Sequence, residues 1–461
     1  MNTQPINNTQ LHTDAGSVRI NLPPAVRRIL KTLADAGFEG YAVGGCVRDS
    51  LLGKQPNDWD ITTSALPAQV KGLFKRTIDT GIEHGTVTVM MDRVGYEITT
   101  YRIDGVYEDG RHPKEVVFTP SLEEDLKRRD FTINAMAYND TDGLQDLFGG
   151  IADMETKTIR AVGDPMERFS EDALRMMRVV RFAAQLGYEI EENTQEAIRS
   201  LCGTLSKISA ERIRTEMEKL LVSPYPEKFE LFYSLGLTKI FLPEFDQAME
   251  TPQNSPHHCY SVGEHTLVSI KNVSNDKVLR LTMLFHDLGK PRCKTTDETG
   301  RDHFYGHPKL SAKIALERMK ALKFDNASTD MVVTLAEYHD VRPEPTAKAI
   351  RRLLSKLGEE KMRLLLQVQR ADVLAQSDYL RQEKLERIGQ LGVCLEEVIT
   401  EQQCFTIKDL AVDGKDLMTL GYKPGKELGI ELAALLEIVL ENPEANEKEK
   451  LLRIAARDLD I

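Results

Sequence analysis

Residues 44–61 read GGCVRDSLLGKQPNDWDI, and the reading of this stretch decides the fold of the amino-terminal part of the chain. Tyr41 to Val43 in front of it reads as the end of a strand and Val47 to Leu52 as the opening of a helix, which leaves Gly44 and Gly45 in the turn between them. A turn without Cβ atoms lets backbone N–H groups approach an anion, and phosphate fits such a turn. Asp58 and Asp60 stand two apart. On an extended strand both side chains point to one face, roughly 6.7 Å apart along the strand, while Trp59 points to the other. Two carboxylates on one face repel unless a cation lies between them. Oxygen ligands beside phosphate suit Mg²⁺ rather than zinc, and divalent ions shared by such a pair activate an attacking hydroxyl and stabilise the leaving oxygen of a nucleoside triphosphate. Glu97, in the strand-like YEITTYR of residues 96–102, offers a third carboxylate as ligand or general base. Either piece alone is an ordinary turn or a solvated loop; the ordered series GGxVRDxLLG, DxD and a carboxylate strand carries the reading.

Working outward, residues 26–160 mix β-branched runs such as GTVTVMM (85–91) with helical stretches such as PAVRRILKTLADAG, which ends at Gly37. This is the pattern of an α/β head. Residues 102–120, RIDGVYEDGRHPKEVVFTP, are rich in Gly, Pro and charge and read as a mobile loop between two head strands. After Arg160 strand signals nearly vanish and apolar residues recur at helical spacing, so the remainder is expected to be mostly helical. The chain has 461 residues, 41% of them hydrophobic, enough for several packed cores, and carries a formal net charge of -12, which argues against indiscriminate nucleic-acid binding but leaves room for a local basic surface. No run approaches the ~20 apolar residues of a membrane span, and the first residues lack a signal-peptide core, so no membrane partner and a cytoplasmic location are expected. The six cysteines lack CxxC spacing and read as reduced thiols.

A second constellation lies in RFSEDALRMMRVVRF, residues 168–182. Read as one helix, it places Asp172 and Arg175 on one face, with Arg178 and Arg181 continuing the ridge. Cytosine and adenine both offer an amino donor beside a ring-nitrogen acceptor. A carboxylate accepting from the first and a guanidinium donating to the second match both bases. Uracil and guanine reverse the pattern and are rejected, because a buried unpaired polar group costs about 1–3 kcal/mol. Arg178 and Arg181 would neutralise phosphates or hold the primer. The bland alternative is a helix with intrahelical ion pairs worth only about 0.2–0.5 kcal/mol each. The stretch ISAERIRTEMEKLLV, residues 208–222, reads as support for this helix. Seven of the ten histidines fall between His257 and His339, which marks a separate module. There the adjacent His286 and Asp287 on an apolar helix are costly to bury unless liganded or hydrogen-bonded.

These motifs, in this order, resemble the class II tRNA nucleotidyltransferases and bacterial poly(A) polymerases of the polymerase-β-like superfamily, and the resemblance covers most of the chain. It implies that Asp58 and Asp60 bind catalytic Mg²⁺, that Glu97 completes the catalytic set, and that Gly45 and Arg48 contact nucleotide phosphates. EEDLKRRDFTINAMAYN (123–139) looks like the family's next motif, in which Arg129 also contacts the nucleotide. Asp172 and Arg175 take the templating role. His265, His286, Asp287 and Asp372 look like an HD domain that binds one divalent metal and hydrolyses phosphoesters; His307 and His339 could extend it to a second metal, or the HD fold survives only as an RNA-binding body. The implied fold is an α/β nucleotidyltransferase head, polymerase-β-like, followed by an all-α neck, body and tail containing the HD domain. The expected divisions are a tail at 1–25, the head at 26–160, a neck at 161–222, a body at 223–255, the HD domain at 256–380 and a helical tail at 381–461. The implied activity is addition of CCA to the tRNA 3′ end from CTP and ATP with Mg²⁺, the helical body gripping the acceptor arm. Poly(A) polymerase, an A-only adding enzyme, and an HD phosphohydrolase with a non-catalytic head are the alternatives. Residues 108–116, EDGRHPKEV, resemble the flexible element tied to A addition, and the ending EKLLRIAARDLDI lacks the basic extension typical of poly(A) polymerases.

Overall fold

The computed structural model of the protein describes residues 18–104, 116–401 and 403–459. The chain forms two compact units, Met1–Phe241 and Leu242–Ile461, and the division falls within the stretch 223–255.

The first unit opens with helix α1 (Pro24–Asp35). Pro24 starts it, Val26, Ile29, Leu30 and Leu33 bury one face, and Gly37 closes it at φ 83°, a conformation glycine adopts without strain. A seven-stranded sheet follows with strand order β3-β4-β5-β2-β1-β8-β9. Its strands are β1 (Gly40–Val43), β2 (Asp60–Thr63), β3 (Thr77–Gly81), β4 (Thr86–Met91), β5 (Val94–Thr100), β8 (Met136–Asn139) and β9 (Gly143–Asp146). Within it β2 and β5 run parallel while β1 pairs antiparallel with both β2 and β8. Helix α2 (Gly45–Leu51) leaves β1 through Gly44, α3 (Pro67–Leu73) bridges β2 to β3, and α4 (Leu122–Lys127) begins at Ser121, whose hydroxyl accepts from the Glu124 N–H. Tyr41, Val43, Tyr101, Leu126, Ala135, Ala137 and Val162 form a core beside the central strand.

The expected mobile loop at 102–120 has structured shoulders: β6 (Arg102–Asp104) and β7 (Val116–Phe118) pair antiparallel as a separate ribbon. The A-addition element expected at 108–116 lies, up to residue 115, outside the described residues.

After α5 (Gly150–Glu155) the first unit becomes helical, with α6 (Pro165–Glu171), α7 (Leu174–Leu186), α8 (Glu192–Leu201) and α9 (Ala210–Leu221). One expectation is corrected here. The segment around Asp172 is two helices, not one: α6 ends at Glu171, Asp172 is extended at φ -137° and ψ 104°, and α7 restarts after Ala173. The cause is local chemistry, because the Asp172 carboxylate accepts the Leu174 N–H at 3.0 Å and so caps the second helix instead of continuing the first.

The second unit is helical apart from the short pair Thr295–Thr296 with Asp302–His303. Five helices, Val262–Lys271, Lys277–Phe285, His307–Ala321, Asn326–Tyr338 and Ala347–Leu374, carry or flank the histidines, and a smaller apolar cluster around Leu417, Leu435, Val439 and Leu451 packs the carboxy-terminal helices. All six cysteines are free thiols. Among the described residues no helix is long and apolar enough to cross a membrane.

Candidate active site and a buried histidine centre

The carboxylates of the head are brought together by the sheet. Strands β2 and β5 pair in the register Ile61↔Ile98, so the step before it sets Asp60 beside Glu97 on the same exposed face. Asp58 lies in the lead-in to β2 rather than in the ladder itself, two residues before the strand begins at Asp60. The three charges sense one another: desolvation by the surrounding protein raises the Asp60 carboxyl above its usual value, Arg129 pulls it down, and Glu97 and Asp58 raise it further.

The glycine turn closes the other side. Gly44 holds φ 81° and ψ -132°, which is open to glycine alone, and its N–H donates to the Met136 carbonyl at 3.1 Å. A Cβ on Gly44 would stand 3.3 Å from Arg129 Nη1, and one on Gly45 3.7 Å from Arg48 Nη2, so the two guanidinium groups lie over the turn. Arg48 is nearly buried, with Nη1 donating to Asn134 Oδ1 at 2.6 Å and Nη2 to Asp49 Oδ1 at 2.8 Å. Arg129 donates to Asp125 Oδ2 at 3.3 Å; Asp125 is fully buried, and Arg129 and Arg128 outweigh burial to hold its carboxyl below the usual range.

Around the break in the helices, Asp172 and Arg175 come from opposite sides of the joint. Asp172 Oδ2 accepts from Arg212 Nη2 of α9 at 2.8 Å. Arg175 Nη1 donates to Glu171 Oε2 at 2.6 Å and Nη2 to the Arg128 carbonyl at 3.1 Å. Each keeps spare capacity, since a carboxylate has about four lone-pair sites and a guanidinium five N–H donors. Arg178 Nε donates to Asp130 Oδ2 at 2.8 Å; Asp130 is buried, and although burial opposes it, Arg178 and Asn134 bring its carboxyl down to about 2. Arg181 is buried against Glu216 of α9 and donates to Gln185 at 2.7 Å. The stretch expected to support this helix does so through Arg212 and Glu216. The structure thus gives Arg178 and Arg181 protein partners, where the sequence pointed to phosphate or primer.

Reading the sequence missed Asp125, Asp130, Asn134, Phe182, Arg212 and Glu216. Their partners lie 35 to 86 residues away for the bonds of Arg48, Arg178, Arg181 and Arg212, and no local spacing announces such pairs.

In the second unit His286 is the C-cap of Lys277–Phe285 and Asp287 starts the turn beyond it, so the pair terminates an apolar helix rather than lying within it. His265, His286, Asp287, His307, His339 and Asp372 are all buried. Each of the four histidines has Nδ1 against a backbone carbonyl: Ala375 at 3.2 Å, Met283 at 2.6 Å, Phe304 at 2.8 Å and Ala336 at 2.7 Å, in chain order. A carbonyl only accepts, so Nδ1 donates to it and Nε2 is the ring nitrogen left to face inward. All four Nε2 atoms turn toward Asp287, at 3.5 Å (His265), 3.4 Å (His286), 3.2 Å (His307) and 3.5 Å (His339). Two triads, His265–His286–Asp287 and Asp287–His307–His339, each have ligand atoms close enough to share one ion. Asp372 Oδ1 lies 3.0 Å from His265 Nε2 and 4.0 Å from His286 Nε2. Burial opposes ionisation of Asp287, yet His286 and Lys290, whose Nζ lies 2.7 Å from Oδ2, hold its carboxyl well below the usual range. Four buried imidazole nitrogens converging on the buried carboxylates of Asp287 and Asp372 fit divalent metal. A cavity of about 360 Å³ opens on this centre, lined by Lys290, Arg301, Arg342 and Lys384 among others.

Known proteins share this organisation. A family model for the poly A polymerase head domain matches residues 40–160, one for the probable RNA and SrmB-binding site of polymerase A matches 187–249, and one for a putative domain 2 of tRNA nucleotidyltransferase matches 306–455. The CCA-adding enzyme of Lactobacillus helveticus is 38% identical over 430 residues, 91% of this chain and 94% of that protein. That of Lactiplantibacillus plantarum is 57% identical over 202 residues, 44% of this chain and 50% of that protein. Among solved structures, the Bacillus stearothermophilus CCA-adding enzyme in complex with CTP has TM-score 0.70 at 31% identity, covering 95% of this chain and 98% of that one. The Thermotoga maritima CCA-adding enzyme complexed with tRNA shares the fold, with TM-score 0.58 at 20% identity over 94% of each chain. The full-length similarity to the L. helveticus and B. stearothermophilus proteins, on a head whose carboxylates, glycine turn and arginines converge, makes this chain a member of the family of CCA-adding tRNA nucleotidyltransferases.

Proposed function

We propose that the chain adds CCA to the 3′ end of tRNA from CTP and ATP, with Asp58, Asp60 and Glu97 as its catalytic carboxylates. The convergence of these three groups beside the Gly44–Gly45 turn carries the reading. Three acidic groups with mutual repulsion and an open face fit Mg²⁺, held by Asp58 and Asp60. When bound, Mg²⁺ supplies the positive charge that activates the terminal hydroxyl and eases departure of pyrophosphate. Glu97, beside Asp60, would take the proton of the attacking 3′ hydroxyl. Arg48 and Arg129, over the glycine turn, would receive the triphosphate, the Gly44 N–H being held by the Met136 carbonyl. Asp172 accepts from the amino group of cytosine or adenine and Arg175 donates to the ring nitrogen, while Arg178 and Arg181 fix the helix that carries Arg175. The full-length CCA-adding relatives favour this activity over poly(A) synthesis and A-only addition. The test supplies each of the four triphosphates in turn to tRNA ending before CCA, after C, and after CC. C, C and A are expected in order, and UTP or GTP incorporation at rates near those of CTP and ATP would overturn the base-reading role.

A second activity is favoured by the four aligned histidines. They and Asp287 and Asp372 fit an HD-type centre that would hold divalent metal and hydrolyse phosphoesters, Asp287 belonging to both candidate ligand triads. When bound, the metal supplies an activated water. Arg301 and Lys384, in the wall of the cavity, would offer the phosphate its counter-charges, Lys290 and Arg342 being paired with Asp287 and Asp372, and Asp287, Asp372 and the Nε2 atoms would be the ligands. Metal analysis of the purified protein checks it: the parent is expected to retain ions that His286→Ala loses, and an equal metal content in both would refute the site.

A further inference from the structure

Arg48, proposed to meet the triphosphate, is joined to the helix of Arg175 in a closed ring of contacts that passes through one aromatic side chain. Asn134 Nδ2 donates to Asp130 Oδ1 at 3.1 Å, and Arg48 Nη1 donates to Asn134 Oδ1 at 2.6 Å. Arg48 lies over the Phe182 ring at 5.1 Å, and Arg178 lies over the same ring at 5.5 Å. Arg178 Nε returns to Asp130 at 2.8 Å and closes the circuit. Arg48 belongs to α2, Asp130 follows α4, and Phe182 and Arg178 belong to α7, so the circuit ties the sheet end of the head to the helix that carries Arg175.

Phe182 is an unusual core residue. Three guanidinium groups meet its ring, the third being Arg181 at 3.9 Å, and Phe131 packs edge-on at 5.6 Å and 78°. Each guanidinium has its own carboxylate: Asp49 for Arg48, Asp130 for Arg178 and Glu216 for Arg181. The charges are therefore balanced without the ring. What the ring adds is a face on which a planar cation settles in one place, and an aliphatic side chain of similar bulk has none.

We infer that Phe182 is a positioning residue for nucleotide selection: its ring holds Arg48, and with it the triphosphate, in register with the helix whose Arg175 meets the base. The inference rests on the reading that Arg48 contacts the nucleotide. An aliphatic residue at 182 leaves Arg48 its bonds to Asp49 and Asn134 but removes the surface that places it against α7. Phosphate and base edge then no longer share one frame. Binding of CTP and ATP weakens, discrimination against UTP falls, and the affinity for tRNA is untouched.

The test compares Phe182→Leu, Phe182→Tyr and Arg48→Ala in single-nucleotide addition to tRNA ending before CCA. The readouts are KM for CTP, KM for tRNA, and the ratio of kcat/KM for CTP to that for UTP, with Trp59 fluorescence as a check on folding. For Phe182→Leu the KM for CTP is expected to rise about tenfold and the CTP/UTP ratio to fall, with KM for tRNA unchanged; Phe182→Tyr, which keeps the ring, restores both. Should the leucine variant not fold, Phe182→Met makes the same comparison. A folded aliphatic variant with KM and ratio within about twofold of the parent overturns the inference, provided Arg48→Ala raises KM. If Arg48→Ala leaves KM unchanged, the nucleotide-site reading itself fails and takes the inference with it.

Discussion

Replacing Asp130 by Asn tests how much of the base-reading helix is held by one buried charge. The Asp130 carboxylate accepts from Arg178 Nε at 2.8 Å, from the Phe131 N–H at 2.9 Å and from Asn134 Nδ2 at 3.1 Å. Its carboxyl is brought from 3.8 down to about 2, against the effect of burial. That displacement corresponds to about 2 kcal/mol of stability at neutral pH. The sign follows from the direction: a folded-state value below the unfolded one gives stability that is complete above pH 3.8 and is lost as pH falls through about 2. Removing one partner of a buried pair costs about 3–5 kcal/mol in general, because the other is left uncompensated. The Arg178 side chain is 35% exposed, so water relieves part of that cost and the lower end applies. Asp130→Asn is therefore expected to destabilise the first unit by about 3 kcal/mol. Trp59, the one tryptophan of the chain, lies in this unit, so its fluorescence in a denaturant series reads the loss without interference from the second unit. The stability difference between parent and variant should shrink as pH is lowered from 5 toward 2. A loss below about 1 kcal/mol at neutral pH, or a difference that does not narrow on acidification, would refute the assignment of the pair as a structural clamp.

Other perturbations probe the site directly. Asp60→Asn is expected to abolish nucleotide addition while leaving phosphoester hydrolysis intact, and His286→Ala to do the reverse; parallel loss of both activities in either variant would contradict two separate centres. Arg212→Met frees Asp172 from its partner at 2.8 Å, and UTP incorporation relative to CTP should rise several-fold, about what one charge-assisted hydrogen bond provides, in a competition assay. Gly44→Ala forces a Cβ into a glycine-only conformation 3.3 Å from Arg129 Nη1, and should cost about 1–3 kcal/mol in the Trp59 unfolding assay together with most of the addition activity.

The head was legible because its signals are local. The helix over residues 24–35, its stop at Gly37, the strand at 86–91 and the turn at Gly44 and Gly45 follow from spacing and glycine chemistry. The break at Asp172 was hidden by a competition between two local rules, since the periodicity continues through it while the carboxylate caps the next helix. The histidines were visible as a cluster in composition, but their common orientation depends on four backbone carbonyls supplied by the folded helix ends and turns. The arginine partners were not legible at all: Asp130 with Arg178 and Glu216 with Arg181 are tertiary pairs, each side of which reads as an ordinary surface charge.

The side-by-side pairing of β2 with β5 subjects the chain to a rule of parity. Glu97 faces the same way as Asp60 because both stand one step before the paired Ile61 and Ile98, so one residue added between Glu97 and Ile98 turns the carboxylate to the far side of the sheet, and two return it but displaced by about 6.6 Å. Insertions before Val94 leave the alternation alone. Added length should therefore be tolerated in the turns between residues 64 and 93 that lie outside α3, β3 and β4, whereas the few positions from Glu97 to Thr100 tolerate changes of side chain but not of number.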